Sequence, residues 1–164
     1  MLDYLGIFRE FNKRKIRYIV VGGVAVNLWG IPRMTYDIDL LLDMDEKNLR
    51  RFLTLVKKWG FRAKAPVDIM EFIDKNKRED WIRNKNMKAF SLFNPNWPLS
   101  EIDIVINAPL DYKRAVKNVK HIKVKQTSIP VVSKDDLIKM KRKTGRRQDK
   151  ADVRYLKNLK DERE

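Results

Sequence analysis

The sequence predicts an α+β fold: a mixed β-sheet covered by helices, with further helices at the carboxyl end. Three observations carry this. Helical and strand-like hydrophobic patterns alternate along the first 60 residues and then give way to a group of short strands. Nothing repeats, and no linker-like stretch divides the chain. At 164 residues the chain is long enough for one domain with a real core. The expected layout is a single domain over residues 1–164, with the sheet core at about 1–132 and the helical part at about 133–164.

The elements follow in order. Asp3 to Lys15 reads as a helix, with Leu2, Leu5, Phe8 and Phe11 at intervals of three. Tyr18 to Val21 is a short apolar strand ended by Gly22 and Gly23. Val24 to Trp29 is a short buried helix, stopped by Gly30 and Pro32. Thr35 to Asp43 is a strand. Asp45 to Trp59 is a long helix with Leu49, Phe52, Leu53 and Val56 on one face and Gly60 after it. Between Phe61 and Lys88 only Asp68 to Asp74 shows a helical pattern, and this stretch is the expected seat of substrate choice. Ala89 to Phe93 and Glu101 to Asn107 are strands around a turn at Asn94 to Pro98. Asp111 to Lys117 is helical, and His121 to Lys125 and Ile129 to Val132 are short strands. Ser133 caps a helix that runs to about Lys143, with Asp136 completing a capping box. Gly145 breaks it. A last helix runs from about Gln148 to Leu159, with Ala151, Tyr155 and Leu159 on its apolar stripe.

Composition narrows the chemistry. There is no cysteine, which excludes disulfides, a thiolate nucleophile and a cysteine zinc site. The longest apolar stretch, Ile19 to Ile31, is interrupted and shorter than the roughly 20 residues that span a bilayer. Met1 to Phe11 carries Asp3, Arg9 and Glu10 and has no secretory apolar core, so the expected location is cytoplasmic, with no membrane partner. Thirty-seven basic residues against 22 acidic ones give a net charge of +15, which draws polyanions such as nucleic acid or nucleoside triphosphate. Lys139, Lys141, Arg142, Lys143, Arg146 and Arg147 form one basic run, and Lys113 to Lys125 holds another. Such runs are either solvated faces or a track for phosphates. His121, the only histidine, reads as a surface residue.

The residues that point to chemistry are acidic and lie on strands. In Tyr36-Asp37-Ile38-Asp39-Leu40-Leu41-Leu42, alternation puts Asp37 and Asp39 on one face and Ile38, Leu40 and Leu42 on the other. Two neighbouring carboxylates repel, and without a cation one of them tends to hold a proton. Magnesium relieves this, because it prefers hard oxygen ligands. In Glu101-Ile102-Asp103-Ile104, Asp103 offers a third carboxylate, with Glu101 on the same face as a weaker rival. Three carboxylates on adjacent strands can hold two metal ions about 3.5–4 Å apart, one on the triphosphate and one on an acceptor hydroxyl. Asp103 is then also the candidate base. The competing reading is that all three face solvent on half-exposed strands.

Gly22-Gly23, between a strand and a helix, is either a plain tight turn or a place where backbone meets phosphate. Arg33 reaches either a phosphate or a structural ion-pair partner. Trp81 and Trp97, near irregular segments, are core packing or a base-stacking platform.

The stretch Val20 to Leu40, with its Gly-Gly turn and Asp-x-Asp pair, resembles the nucleotidyltransferase superfamily. It is most similar to the branch of AbiEii-type toxins and minimal nucleotidyltransferases. The resemblance implies that Gly22 and Gly23 hold a triphosphate, that Asp37 and Asp39 bind magnesium, and that Asp103 is the third acidic residue. The segment Val132 to Lys141 is similar to a later motif of that branch, in which a lysine contacts phosphate, and Lys141 is the matching position. Gly145 to Val153 resembles the acidic motif that follows, with Asp149 and Asp152 both possible matches. The three blocks cover about one third of the chain.

The resemblance implies a magnesium-dependent enzyme that transfers a nucleotidyl group from a nucleoside triphosphate to a hydroxyl. The basic charge favours RNA as that acceptor. A toxin paired with a neutralising antitoxin protein is the more specific version. The alternatives are a non-catalytic nucleotide- or RNA-binding module on the same fold, and a basic scaffold with no nucleotide site.

Overall fold

The computed structural model describes residues 3–97 and 101–159. Leu2 and Pro98, expected in the first helix and in a turn, lie outside them. Helix α1 (Tyr4–Lys13) starts where the Asp3 side chain accepts the Gly6 amide at 2.7 Å, and it buries Ile7, Phe8 and Phe11. Strand β1 (Tyr18–Val21) leads into α2 (Gly22–Leu28), so this helix begins at the glycines themselves. Strand β2 (Asp37–Leu42) leads to α3 (Glu46–Lys58). Asn48, fully buried on α3, ties that junction by bonding Arg17 N–H and the carbonyls of Arg17 and Asp43.

The middle segment contains two elements that its pattern conceals. Strand β3 (Arg62–Ala63) is only two residues long. Helix α4 (Lys75–Lys85) is capped by the Asp74 side chain and ended by Asn86 in the left-handed region at φ 51°. Of its eleven residues only Trp81 is buried, so no apolar stripe marks it. Asp68–Asp74, expected as helical, holds a 3-10 helix over Ile69–Ile73, capped by Asp68 with Glu71 completing the capping box. Strands β4 (Ala89–Phe93) and β5 (Glu101–Val105) follow, then the short helix α5 (Tyr112–Ala115) and the hairpin β6 (Lys120–Val124) and β7 (Thr127–Val131). Helices α6 (Lys134–Thr144) and α7 (Arg147–Asn158) close the described chain.

The seven strands form one mixed sheet in the order β3-β4-β5-β2-β1-β7-β6. The β2–β5 and β1–β7 pairs are parallel and the others antiparallel. Along β4 and β5 burial alternates, with Phe90, Leu92, Ile102 and Ile104 turned into the core. Phe90 stacks on Phe72 and Trp81 at centroid distances of 4.7 and 5.4 Å. All four residues of β1 are buried, so the sheet is covered on both faces at its centre.

Two local expectations are corrected, at α7 and at the Ser133 cap, and the packing reading of Trp81 and Trp97 holds. The stripe of α7 that turns inward is Asp149, Asp152 and Leu156, while Tyr155 is 60% exposed. Trp81 and Trp97 are packing residues: Trp81 lies parallel to Phe90, and Trp97 sits 5.8 Å from Trp59 and 5.2 Å from Phe61. The Ser133 cap forms, with its Oγ accepting the Asp136 amide at 3.1 Å, but Asp136 Oδ2 is buried without a hydrogen-bond partner. Only the serine half of the capping box is made.

Candidate active site

Strands β2 and β5 run parallel in a register that sets Asp37 opposite Glu101 and Asp39 opposite Asp103. The inward partners Ile38, Leu40, Ile102 and Ile104 are at most 1% exposed, so the four acidic side chains must share the other face. Carboxylate oxygens of Asp37, Glu101 and Asp103 all lie within 4.8 Å of one another. Asp39 is not one of these three, but the strand register sets it beside Asp103. Glu101 therefore joins the cluster rather than competing with Asp103 for a place in it.

The electrostatics follow from crowding and burial. Desolvation, reinforced by the charges of Asp103 and Asp37, pushes the Asp39 carboxyl up to about 7, against a partial opposing pull from Lys141. Asp37 is raised by burial and by Asp103 and Glu101, with Lys64 acting against them. Asp103 Oδ1 is buried with no hydrogen-bond partner. An orphaned carboxylate oxygen among like charges is the environment that a divalent cation with hard oxygen preference corrects, so the residues present fit such an ion.

The glycine turn lies directly against this cluster. Gly22 adopts φ +69°, and a Cβ added there would stand 2.0 Å from Asp39 Oδ2. A Cβ on Gly23 would stand 2.8 Å from Thr35 Oγ1 and 3.4 Å from Arg33 Cζ. Gly22 is thus required by both conformation and space, while a Cβ at Gly23 would force the Thr35 side chain to move. Gly22→Ala is expected to lower Tm by several degrees, since the left-handed backbone alone costs about 1–2 kcal/mol. It also displaces the Asp39 carboxylate, so magnesium-dependent triphosphate binding, measured by calorimetry, should weaken at least tenfold. Retention of wild-type affinity would show that Asp39 does not need its present position.

The remaining candidates meet in one buried network beside the cluster. Lys141, 6% exposed, is unlike the exposed cations around it. Its Nζ lies 2.9 Å from Asp152 Oδ2 and 3.3 Å from Asp149 Oδ1. Arg33 Nη1 meets Asp152 at 2.5 Å, and Gln148 Nε2 meets the other oxygen of that carboxylate at 3.1 Å. Asp149 also accepts from Thr144 Oγ1 at 2.7 Å and Arg146 Nε at 2.9 Å. Burial opposes ionisation of Asp149, but these hydrogen bonds and the charges of Lys141 and Arg146 prevail and hold it at about 2. Both Asp149 and Asp152 therefore contact Lys141. The network fastens α7 and α6 to the loop that carries Arg33 into β2.

Lys64 is the participant that sequence patterns missed. It follows the two-residue strand β3 and forms an ion pair with Glu101. Nothing in the run Arg62-Ala63-Lys64 marks it, because its place depends on β4 lying between β3 and β5.

A mixed sheet with acidic residues on two adjacent strands beside a glycine turn is the arrangement that the resemblance to nucleotidyltransferases implies. The chain belongs to the family described as nucleotidyltransferase of unknown function (DUF6036), which matches residues 6–160. No curated protein matches it in sequence. Among solved structures it is similar to the lincosamide antibiotic adenylyltransferase LnuA in its lincomycin-bound form, with a TM-score of 0.63 and 17% identity over 94% of each chain. It is also similar to a candidate nucleotidyltransferase from Thermotoga maritima, with a TM-score of 0.56 and 18% identity over 94% of this chain and 92% of that one. A third similar structure is an antigenic nucleotidyltransferase-like protein from Paracoccidioides brasiliensis, with a TM-score of 0.53 and 17% identity over 93% of this chain and 71% of that one. At these identities the likeness is one of fold. Among the described residues no helix is long and apolar enough to cross a membrane.

Proposed function

We propose that the protein transfers a nucleotidyl group from a nucleoside triphosphate to a hydroxyl acceptor, with Asp37, Asp39 and Asp103 holding magnesium. The observation that carries this reading is the parallel register of Asp39 with Asp103 beside the Gly22 turn. An ion held by these carboxylates would supply charge neutralisation for the phosphates and ease loss of the acceptor proton. The chain's own residues divide the rest of the work. The Gly22–Gly23 backbone takes the triphosphate, close to Asp39. Arg33 and Lys141, already fixed by Asp152 and Asp149, place positive charge on that side. These cations stabilise the charge that gathers on the phosphates as pyrophosphate leaves. Asp103 accepts the proton of the acceptor hydroxyl as the hydroxyl oxygen bonds to the α-phosphorus and the bond from that phosphorus to pyrophosphate breaks.

The net charge of +15 favours RNA as acceptor. The lincomycin-bound neighbour favours a second reading, in which the acceptor is a small hydroxylated molecule. A toxin role with a neutralising partner protein rests on the motif resemblance of Val132–Lys141 and Gly145–Val153. A non-catalytic binding module is disfavoured, because four clustered carboxylates repel phosphate unless a cation stands between them. Incubation with each α-labelled triphosphate, magnesium and either total RNA or a panel of small hydroxylated compounds tests the proposal. Label is expected on one acceptor class and absent with chelator. No label on either class, together with no magnesium-dependent triphosphate binding, overturns it.

A further inference from the structure

The four carboxylates are unequally compensated along their row. At the Asp39 end stand the glycine turn and Lys141, whose ammonium is already committed to Asp149 and Asp152. At the opposite end, formed by Asp37 and Glu101, the cation is Lys64. Its position is set by the sheet. The Lys64 amide donates to the Ser91 carbonyl at 3.0 Å, and Ser91 on β4 pairs directly with Asp103 on β5. From this anchor the side chain crosses β4 to reach the Glu101 carboxylate, with Asp103 and Asp37 also within its electrostatic range. One ammonium thus faces all three of the carboxylates whose oxygens converge within 4.8 Å.

This arrangement bears on how many divalent ions the site takes. Magnesium sits about 2.0–2.1 Å from its oxygen ligands. An ion bound through Glu101 would therefore lie only a few ångströms from an ammonium in contact with the same carboxylate. Like charges at that spacing repel, although solvent around the half-exposed Lys64 side chain screens part of the effect. Lys64 and a second metal ion compete for one corner. Lys64 is delivered there by covalent connection and by the β3–β4 pairing, so its presence does not depend on metal concentration.

We propose that Lys64 serves as the acceptor-side cation of this site, occupying the Asp37–Glu101–Asp103 corner so that the loaded protein takes one divalent ion, with the triphosphate, instead of two. This rests on the nucleotidyl-transfer reading above and replaces the pair of ions that three carboxylates on adjacent strands can hold. Lys64 here plays a positioning and charge-balancing role toward the acceptor hydroxyl.

The test counts metal rather than turnover. Manganese is titrated into the full chain, with bound ion read by electron paramagnetic resonance, in the presence of the saturating α,β-methylene analogue of ATP, GTP, CTP or UTP. The wild type is expected to bind one ion per chain with whichever analogue binds. Lys64→Met keeps the aliphatic stem but removes the charge, and it is expected to bind two. Lys64→Arg keeps the charge and is expected to stay at one. Adding Glu101→Gln to Lys64→Met is expected to return the count to one, since the second ion then loses its ligand. Lys64 is half-exposed, so the methionine variant is expected to fold, with circular dichroism as the check. Two ions in the wild type, or one in Lys64→Met, overturns the proposal while leaving nucleotidyl transfer standing. No analogue and no manganese bound by the wild type overturns both.

Discussion

Replacing Asp39 with asparagine is expected to abolish transfer, by about a thousandfold or more, while making the metal-free protein more stable at pH 8. The first effect follows from removing a carboxylate that holds the catalytic cation where charge develops. The second follows from linkage. Burial and the charges of Asp103 and Asp37 raise the folded-state value of Asp39 to about 7, against 3.8 for the free side chain. A raised carboxyl favours folding when protonated. Its stabilising contribution is complete below about pH 4 and is lost as pH climbs to about 7. The metal-free wild type should therefore show a falling Tm between pH 4 and 7, and Asp39→Asn should flatten that fall. Magnesium should restore Tm to the wild type at pH 8 and do much less for the variant. Scanning calorimetry at pH 5 and pH 8, with and without magnesium, reads all of this. Equal metal response in both proteins would remove Asp39 from the ion's ligands.

Replacing Lys141 with methionine is expected to cost about 3–5 kcal/mol, lowering Tm by roughly 10 °C, because it strands two buried carboxylates. Asp149 and Asp152 are 2% and 1% exposed. Asp149 retains Thr144 and Arg146, and Asp152 retains Arg33 and Gln148. Neither remaining set includes the ammonium they share. The loss should be larger at pH 7 than at pH 3, since protonation relieves an unpaired carboxylate. Adding Asp152→Asn to Lys141→Met should recover part of the stability, a coupling that a double-mutant cycle measures. A loss below 1 kcal/mol would mean that water reaches these groups freely. The loop carrying Arg33 is fastened to the same network, so triphosphate affinity should fall together with Tm.

The fate of individual residues shows what was legible in advance. Period-two alternation in Tyr36–Leu42 and Glu101–Val105 identified the shared face of Asp37 and Asp39 and the inward isoleucines, because burial on one side of a strand writes itself directly into sequence. The Gly22–Gly23 turn was legible because a positive φ beside a carboxylate admits no other side chain comfortably. Helix α4 was not, since its one buried residue, Trp81, leaves no period to detect. The inward face of α7 was misread for a related reason. Its buried residues are aspartates, and a hydrophobic pattern cannot announce a buried ion pair.

By itself, then, the sequence determined the mixed α+β character, the two acidic strands and the glycine bend, all of which are encoded by neighbours within a few positions. The tertiary structure alone decided that β5 lies beside β2 in parallel, so that Asp103 meets Asp39 across more than sixty intervening residues. It alone brought Lys64 onto Glu101 and enclosed Lys141 between two aspartates. Strand order and side-chain burial arise from the packing of the whole chain, and local spacing carries no record of which distant charges will share one desolvated space.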